Sequence, residues 1–206
     1  MATDLAAFTL AATLIVLLPG PDTLVVLRSL LRAGRRRAAV TACGVLTGLV
    51  VWVAAASFGL SALLRASHDG YLVLRIVGGA YLVWLGIQSL RARAAGVPDP
   101  TTGPHRAGVL GTGYRAGLAT DLLNPKVGVF FVTFLPGFIP HGDSVAAGSL
   151  LLGAIFVVET ALYFALLLAV AERVTAWLRH AKSRRRLERA TGLVLIGFGL
   201  RLAIER

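Results

Sequence analysis

Apolar residues in this chain come in long runs, not in the alternating pattern of a half-buried strand or the narrow stripe of a surface helix. The runs extend from Leu5 to Leu31, Ala38 to Leu64, Tyr71 to Leu90, Gly117 to Ile139, Ser144 to Ala171 and Ala190 to Ile204. A helix needs about 20 apolar residues to cross a bilayer, so each run predicts one crossing, the last of marginal length. The first run has no Lys or Arg ahead of it, carries Asp4 and lacks a small-residue cleavage site, so it reads as helix one and not as a leader.

Composition agrees with that pattern. Of 206 residues, 56% are hydrophobic and 15% charged, with a mean hydropathy of +0.76, which excludes a water-soluble globule and leaves no length for an extramembrane domain. A net charge of +11 would suit nucleic acid only if the basic residues were spread differently. Arg28, Arg32, Arg35, Arg36 and Arg37 separate the first two runs; Arg91, Arg93, Arg106 and Arg115 separate the third and fourth; seven more lie from Arg173 to Arg189. The second and fourth connections hold only Arg65. Such asymmetry follows the positive-inside rule, placing the odd-numbered connections in the cytoplasm and both termini outside. The charge therefore marks topology and a lipid environment, not a nucleic-acid partner.

Three helices per half make any internal duplication inverted in the membrane. Gly79 and Gly86 in helix three match Gly192 and Gly199 in helix six, and an offset of 104 pairs Pro21 with Pro125. The expected organisation is one all-α membrane domain of six helices in two inverted three-helix repeats. Residues 1–93 and 114–206 form the repeats, and 94–113, rich in proline and glycine, the cytoplasmic linker.

Helix one is interrupted by Pro19, Gly20 and Pro21, and helix four by Asn124 and Pro125. A proline removes a backbone donor and frees a carbonyl one turn earlier, which in hydrocarbon must be satisfied by protein, water or a ligand. Each break is followed at once by a charge, Asp22 and Lys126, pseudo-symmetric and opposite in sign. Asp22 is placed either to cap the half-helix it begins or to face a solute pathway. Lysine occurs only twice against nineteen arginines, and Lys126 falls at a depth where a charge needs a partner. Asp121 is expected to line an inner vestibule or to stay wet near the interface, and Glu159, midway along helix five, to serve a structural pair or a substrate or proton role.

The remaining candidates read as packing. Gly44 and Gly48 on helix two, and Gly79 and Gly86 on helix three, permit close helix approach. Cys43 reads as a small core residue, and Trp52, Trp84, Tyr81 and Tyr163 default to the core, though within helices any of them is placed to touch a substrate. One cysteine, and four histidines at or near loops (His68, His105, His141 and His180), make no metal site; no cofactor is expected.

LPGPD at 18–22, RAGRRR at 32–37, GGAYLVWLG at 78–86, DLLNPK at 121–126 and TGLVLIGFGLRL at 191–202 resemble the LysE/RhtB family of amino-acid exporters over nearly the whole chain. The resemblance implies a bacterial inner-membrane protein that moves amino acids or close analogues outward on an ion gradient, H+ or Na+. Motif matching gives Pro19, Gly20, Pro21, Asp22, Asn124, Pro125 and Lys126 the functional positions. Ala38 and Ala39 stand where a glycine is expected after the basic cluster.

Together these readings predict a midplane site between helices one and four, with Lys126 paired to Asp22 until a substrate carboxylate replaces it. An enzyme is not expected, since HExxH, GxSxG and membrane-depth histidines are missing. The competing readings are an exporter of another small solute or inorganic ion, and a non-transporting assembly partner. Monomer and homodimer are both compatible with the sequence.

Overall fold

The computed structural model describes residues 2–60, 68–91, 111–140, 144–171, 173 and 181–204. Among them all regular structure is helical. The elements are α1 (Ala2–Leu17), α2 (Pro21–Ala55), α3 (His68–Arg91), α4 (Tyr114–Leu122), α5 (Pro125–Val129), α6 (Val145–Ala169) and α7 (Ala181–Ile204). A π turn, Ala56–Leu60, extends α2; a π turn, Phe130–Phe134, and a 3-10 turn, Leu135–Phe138, extend α5. Most of the expected linker, together with Arg65, His105, His141 and His180, lies outside the described residues.

Among the described residues, Pro21–Gly59 and Val145–Ala169 are long and apolar enough to cross a membrane, as is the pair Tyr114–Leu122 and Pro125–Phe138 if its 49° bend is taken as one span. Leu5–Leu17 is a shorter apolar helix. The outward faces carry Leu10, Leu24, Val50, Val73, Leu162, Leu166 and Leu193, all more than half exposed, a surface that suits lipid and not water.

The boundary between helices one and two differs from the expected loop. Residues 32–37 are helical, and the chain turns at one residue, Gly34, at φ 77° and ψ 178°. That left-handed φ is open to glycine and strained for other residues. The turn folds α2 into two arms. The Thr41 hydroxyl donates to Ser29 Oγ at 2.8 Å, whereas residues twelve apart in a straight helix would be about 18 Å apart along the axis. Arg35, just past the turn, donates to the carbonyls of Leu168 and Ala169, which end α6 without intrahelical donors. The last helix is also longer than its apolar run: α7 begins at Ala181, because Arg184–Arg189 are sound helix formers that extend it beyond the apolar segment.

Small residues set the helix crossings. A Cβ at Gly86 would lie 2.6 Å from the Gly192 carbonyl oxygen, and one at Gly199 2.6 Å from that of Gly79, so α3 and α7 touch backbone to backbone. Gly44 packs likewise on the backbone of Tyr114 and Leu118, and Gly117 on the Thr41 carbonyl, joining α2 to α4. Between these crossings lies an aromatic core: Phe8 of α1, Phe130, Phe134 and Phe138 of the α5 extension, Phe156 of α6 and Phe198 of α7. Ring centroids are 4.7 Å apart for Phe130 and Phe156 and 4.6 Å for Phe134 and Phe198.

Two apolar positions expected inside face outward. Cys43 is exposed because it shares the stripe of Val40 and Val50, opposite the Gly44 and Gly48 face that meets α4. Trp84 is half exposed in line with Val73 and Val77, away from the α7 contact. Sequence position within a membrane helix shows depth but not side, because both faces are apolar.

Candidate functional site

The site begins with missing backbone donors. Pro19 has no N–H for the carbonyl of Ile15, and the chain leaves α1 at Leu17, so the Ile15 and Leu18 carbonyls lack full helical partners. Leu18 N gives Ile15 O a long 3.3 Å bond only. Pro21 then starts α2 at its first position, where a missing N–H does no harm. Across the interface, Asn124 caps α5, its side-chain oxygen accepting from Lys126 N at 3.1 Å, with Pro125 at the first helical position.

The two breaks are tied to each other. The Lys126 ammonium donates to Ile15 O at 2.9 Å and to Leu18 O at 3.0 Å, so the carbonyls released by the first break are satisfied by the charge at the second. In return Asn124 Nδ2 donates to Asp22 Oδ2 at 2.6 Å. The expected Asp22–Lys126 ion pair is thereby corrected: Asp22 is held by a neutral amide and Lys126 by main-chain oxygens. The break-one carbonyls lie within 3.0 Å of the ammonium and occupy its donors. Asp22 Oδ1 has no hydrogen-bond partner among the described residues.

A cavity of about 30 Å³ lies against this cluster, lined by Gly20, Asp22, Thr23, Lys126, Thr160 and Tyr163 on its polar side and by Leu49, Phe130 and Phe156 among the apolar ones. That volume holds about two water molecules; an amino acid fits only if the helices separate. Tyr163 OH reaches Thr23 Oγ1 across it at 3.5 Å.

Of the residues predicted for the site, Gly20, Asp22 and Lys126 line the cavity, Asn124 anchors Asp22 from behind, and Pro19, Pro21 and Pro125 shape the breaks. Asp121 and Glu159 do not line it. Asp121 is neither in a vestibule nor wet: it is 0% exposed, because α4 packs tightly on the Gly44 and Gly48 face of α2. Glu159 is half-buried on another face of α6, near Thr13. Trp52 packs its ring on Gly128, and its indole N–H donates to the Asp121 carbonyl at 3.3 Å; Tyr81 stacks near Trp84. Thr23 and Thr160 were not legible beforehand. Each directly follows a predicted acid, Asp22 or Glu159, but a hydroxyl in a membrane helix commonly bonds its own backbone, as Thr160 does to Phe156 O.

Two broken helices whose ends satisfy each other around a cavity lined by Asp22 and Lys126, inside a bundle with an apolar exterior, have the form of a membrane translocator. The chain belongs to the LysE type translocator family, whose model matches residues 13–206; it is a membrane transporter and not an enzyme. It is 27% identical to the uncharacterized membrane protein YrhP of Bacillus subtilis, with 98% of this chain and 99% of that protein covered. It is 31% identical to the homoserine/homoserine lactone efflux protein of Salmonella typhi (97% and 96% covered). Identity to the threonine efflux protein of the same organism is 30% (97% and 98% covered). No solved structure matches the chain.

Proposed function

We propose that the chain is a secondary-active exporter of amino acids or close analogues in the bacterial inner membrane, working by alternating access around the cavity between the two breaks. The observation that carries this reading is the reciprocal tie of the breaks, Lys126 on the Ile15 and Leu18 carbonyls and Asn124 on Asp22. A zwitterion matches it. Its ammonium meets the open Oδ1 of Asp22, and its carboxylate draws Lys126 off the carbonyls, with the amides at the start of α2 adding a positive helix end. Partner exchange keeps the lysine satisfied in both states, which avoids the cost of several kcal/mol for an unpaired buried charge. Relatives named for homoserine and threonine efflux support a small amino acid, and a proton or sodium gradient drives the cycle.

Six spans in two inverted repeats, 1–93 and 114–206 joined by 94–113, with both termini outside, suit the packing. Span one is α1 with the first arm of α2, span two the second arm, and spans three to six are α3, α4–α5, α6 and α7. Contact of span one with span five and of span four with span two is what exchange of the repeats requires, while α3 against α7 maps onto itself. Rocking of one repeat on the other then opens the cavity to each side in turn.

Counterflow in proteoliposomes with a panel of labelled amino acids tests the assignment. Saturable uptake of one or a few amino acids is expected, abolished by Lys126→Met. Undiminished flux in that variant would refute the site, and no flux for any amino acid in folded wild-type protein would refute the function.

A further inference from the structure

Asp121 has 0% exposure, and neither of its carboxyl oxygens has a hydrogen-bond partner among the described residues. It sits one turn before the α4–α5 break, where the missing side chain of Gly48 on α2 leaves exactly the space its carboxyl group fills; a Cβ there would lie 2.8 Å from Asp121 Cβ. Its main chain is by contrast fully engaged. The Asp121 carbonyl accepts from Trp52 Nε1 at 3.3 Å and Asn124 N at 2.9 Å, and that Asn124 is the residue holding Asp22.

Among the described residues, no cation bonds the Asp121 carboxyl oxygens. From α2 comes Asp22, joined to it through Asn124, whose side chain holds the Asp22 carboxylate and whose N–H bonds the Asp121 carbonyl, so the two acids are like-charged neighbours around one residue. From α5, Lys126 turns its ammonium to the α1 carbonyls. On α4 itself Arg115 is exposed almost two turns away. A carboxylate so placed, with neither donor nor cation, is strongly disfavoured, whereas the neutral acid is tolerated. The side chain therefore belongs in the cycle as a group that changes charge when the helices move.

We propose that Asp121 is the proton carrier of this exporter, exchanging one proton for one amino acid bound at Asp22 and Lys126. The proposal rests on the exporter reading above and adds the coupling ion and its residue. The step is proton transfer alone: the acid O–H bond breaks, its electron pair stays on the carboxylate, and the proton passes to water on the side from which substrate is drawn. The reverse occurs on the side of delivery. Coupling is electrostatic. A substrate ammonium at Asp22 offsets the repulsion between the two carboxylates, so loading favours proton release and unloading favours uptake, which is antiport.

The test uses full-length protein, with Asp121→Asn and with Asp121→Ala as a second variant in case the amide is poorly accommodated. Both are reconstituted for threonine counterflow at equal pH and for threonine accumulation driven by an imposed pH gradient. Counterflow is expected to persist in both variants while gradient-driven accumulation above the external threonine concentration is lost. In weakly buffered detergent, threonine is expected to release a proton from the wild type and none from the variants. Accumulation that survives in both variants would overturn the proposal. Loss of counterflow in monodisperse variants would overturn it too, since the carboxyl would then belong to the substrate site. A wild type without counterflow for any amino acid would instead overturn the exporter reading beneath it.

Discussion

Asn124 joins the two breaks through both ends of one amide, so its replacement separates helix capping from the tie to Asp22. Serine at 124 keeps an oxygen to accept from Lys126 N but cannot reach the carboxylate 2.6 Å beyond the native amide. A hydrogen bond to a charged group contributes about 1.5–3 kcal/mol, and an N-cap about 1 kcal/mol. Asn124→Ser should therefore lose about 1.5–3 kcal/mol, and Asn124→Ala about 1 kcal/mol more. Asn124→Asp keeps the cap but sets two carboxyl groups in contact that cannot both ionise, so they share one proton and the variant should lose stability as pH rises. Since Asp22 Oδ1 already lacks a partner, the serine variant frees the whole carboxylate. If orientation of Asp22 supplies substrate affinity, the same energy weakens binding by about 10- to 100-fold. Thermal unfolding in detergent and the concentration dependence of counterflow measure the two effects separately. Asn124→Ser protein with wild-type melting and wild-type half-saturation would refute the idea that the tie holds the site together.

Substitutions at two glycines probe the frame. Gly117→Ala would drive a Cβ into the Thr41 carbonyl and within 3.0 Å of Val45 N; both are backbone atoms that cannot step aside, so a loss of about 1–3 kcal/mol should appear as a lower melting temperature, and unchanged melting would mean that α2 and α4 are not so close. Gly34 has nothing within 4 Å of its would-be Cβ, so Gly34→Ala is penalised by its backbone conformation alone, φ 77° with ψ 178° being essentially confined to glycine, at about 1–3 kcal/mol. Gly34→Asn should be no milder, since asparagine is not favoured at that ψ, and wild-type melting in both variants would argue against the turn.

Residues 18–22 and 124–126 show how far the amino-acid order reaches. Proline chemistry is local, so both breaks, their positions and the charge after each were legible, as were the glycine pairs that let helices touch. The long apolar runs likewise determined an all-helical membrane protein. Partner choice was not local. Opposite signs at Asp22 and Lys126 suggested an ion pair, but which acceptor a long side chain meets depends on how the α1 end is aimed, and only the assembled bundle puts Ile15 O and Leu18 O within 3.0 Å of the ammonium. The same holds for burial. Cys43, Trp84 and Glu159 occupy stretches apolar on every side, and Asp121 a nine-residue helix with no clear apolar stripe, so no periodicity distinguishes the face toward lipid from the face toward a neighbour. Helix packing alone turned Cys43 and Trp84 outward, sealed Asp121 against Gly48 and aimed Thr160, not Glu159, into the cavity.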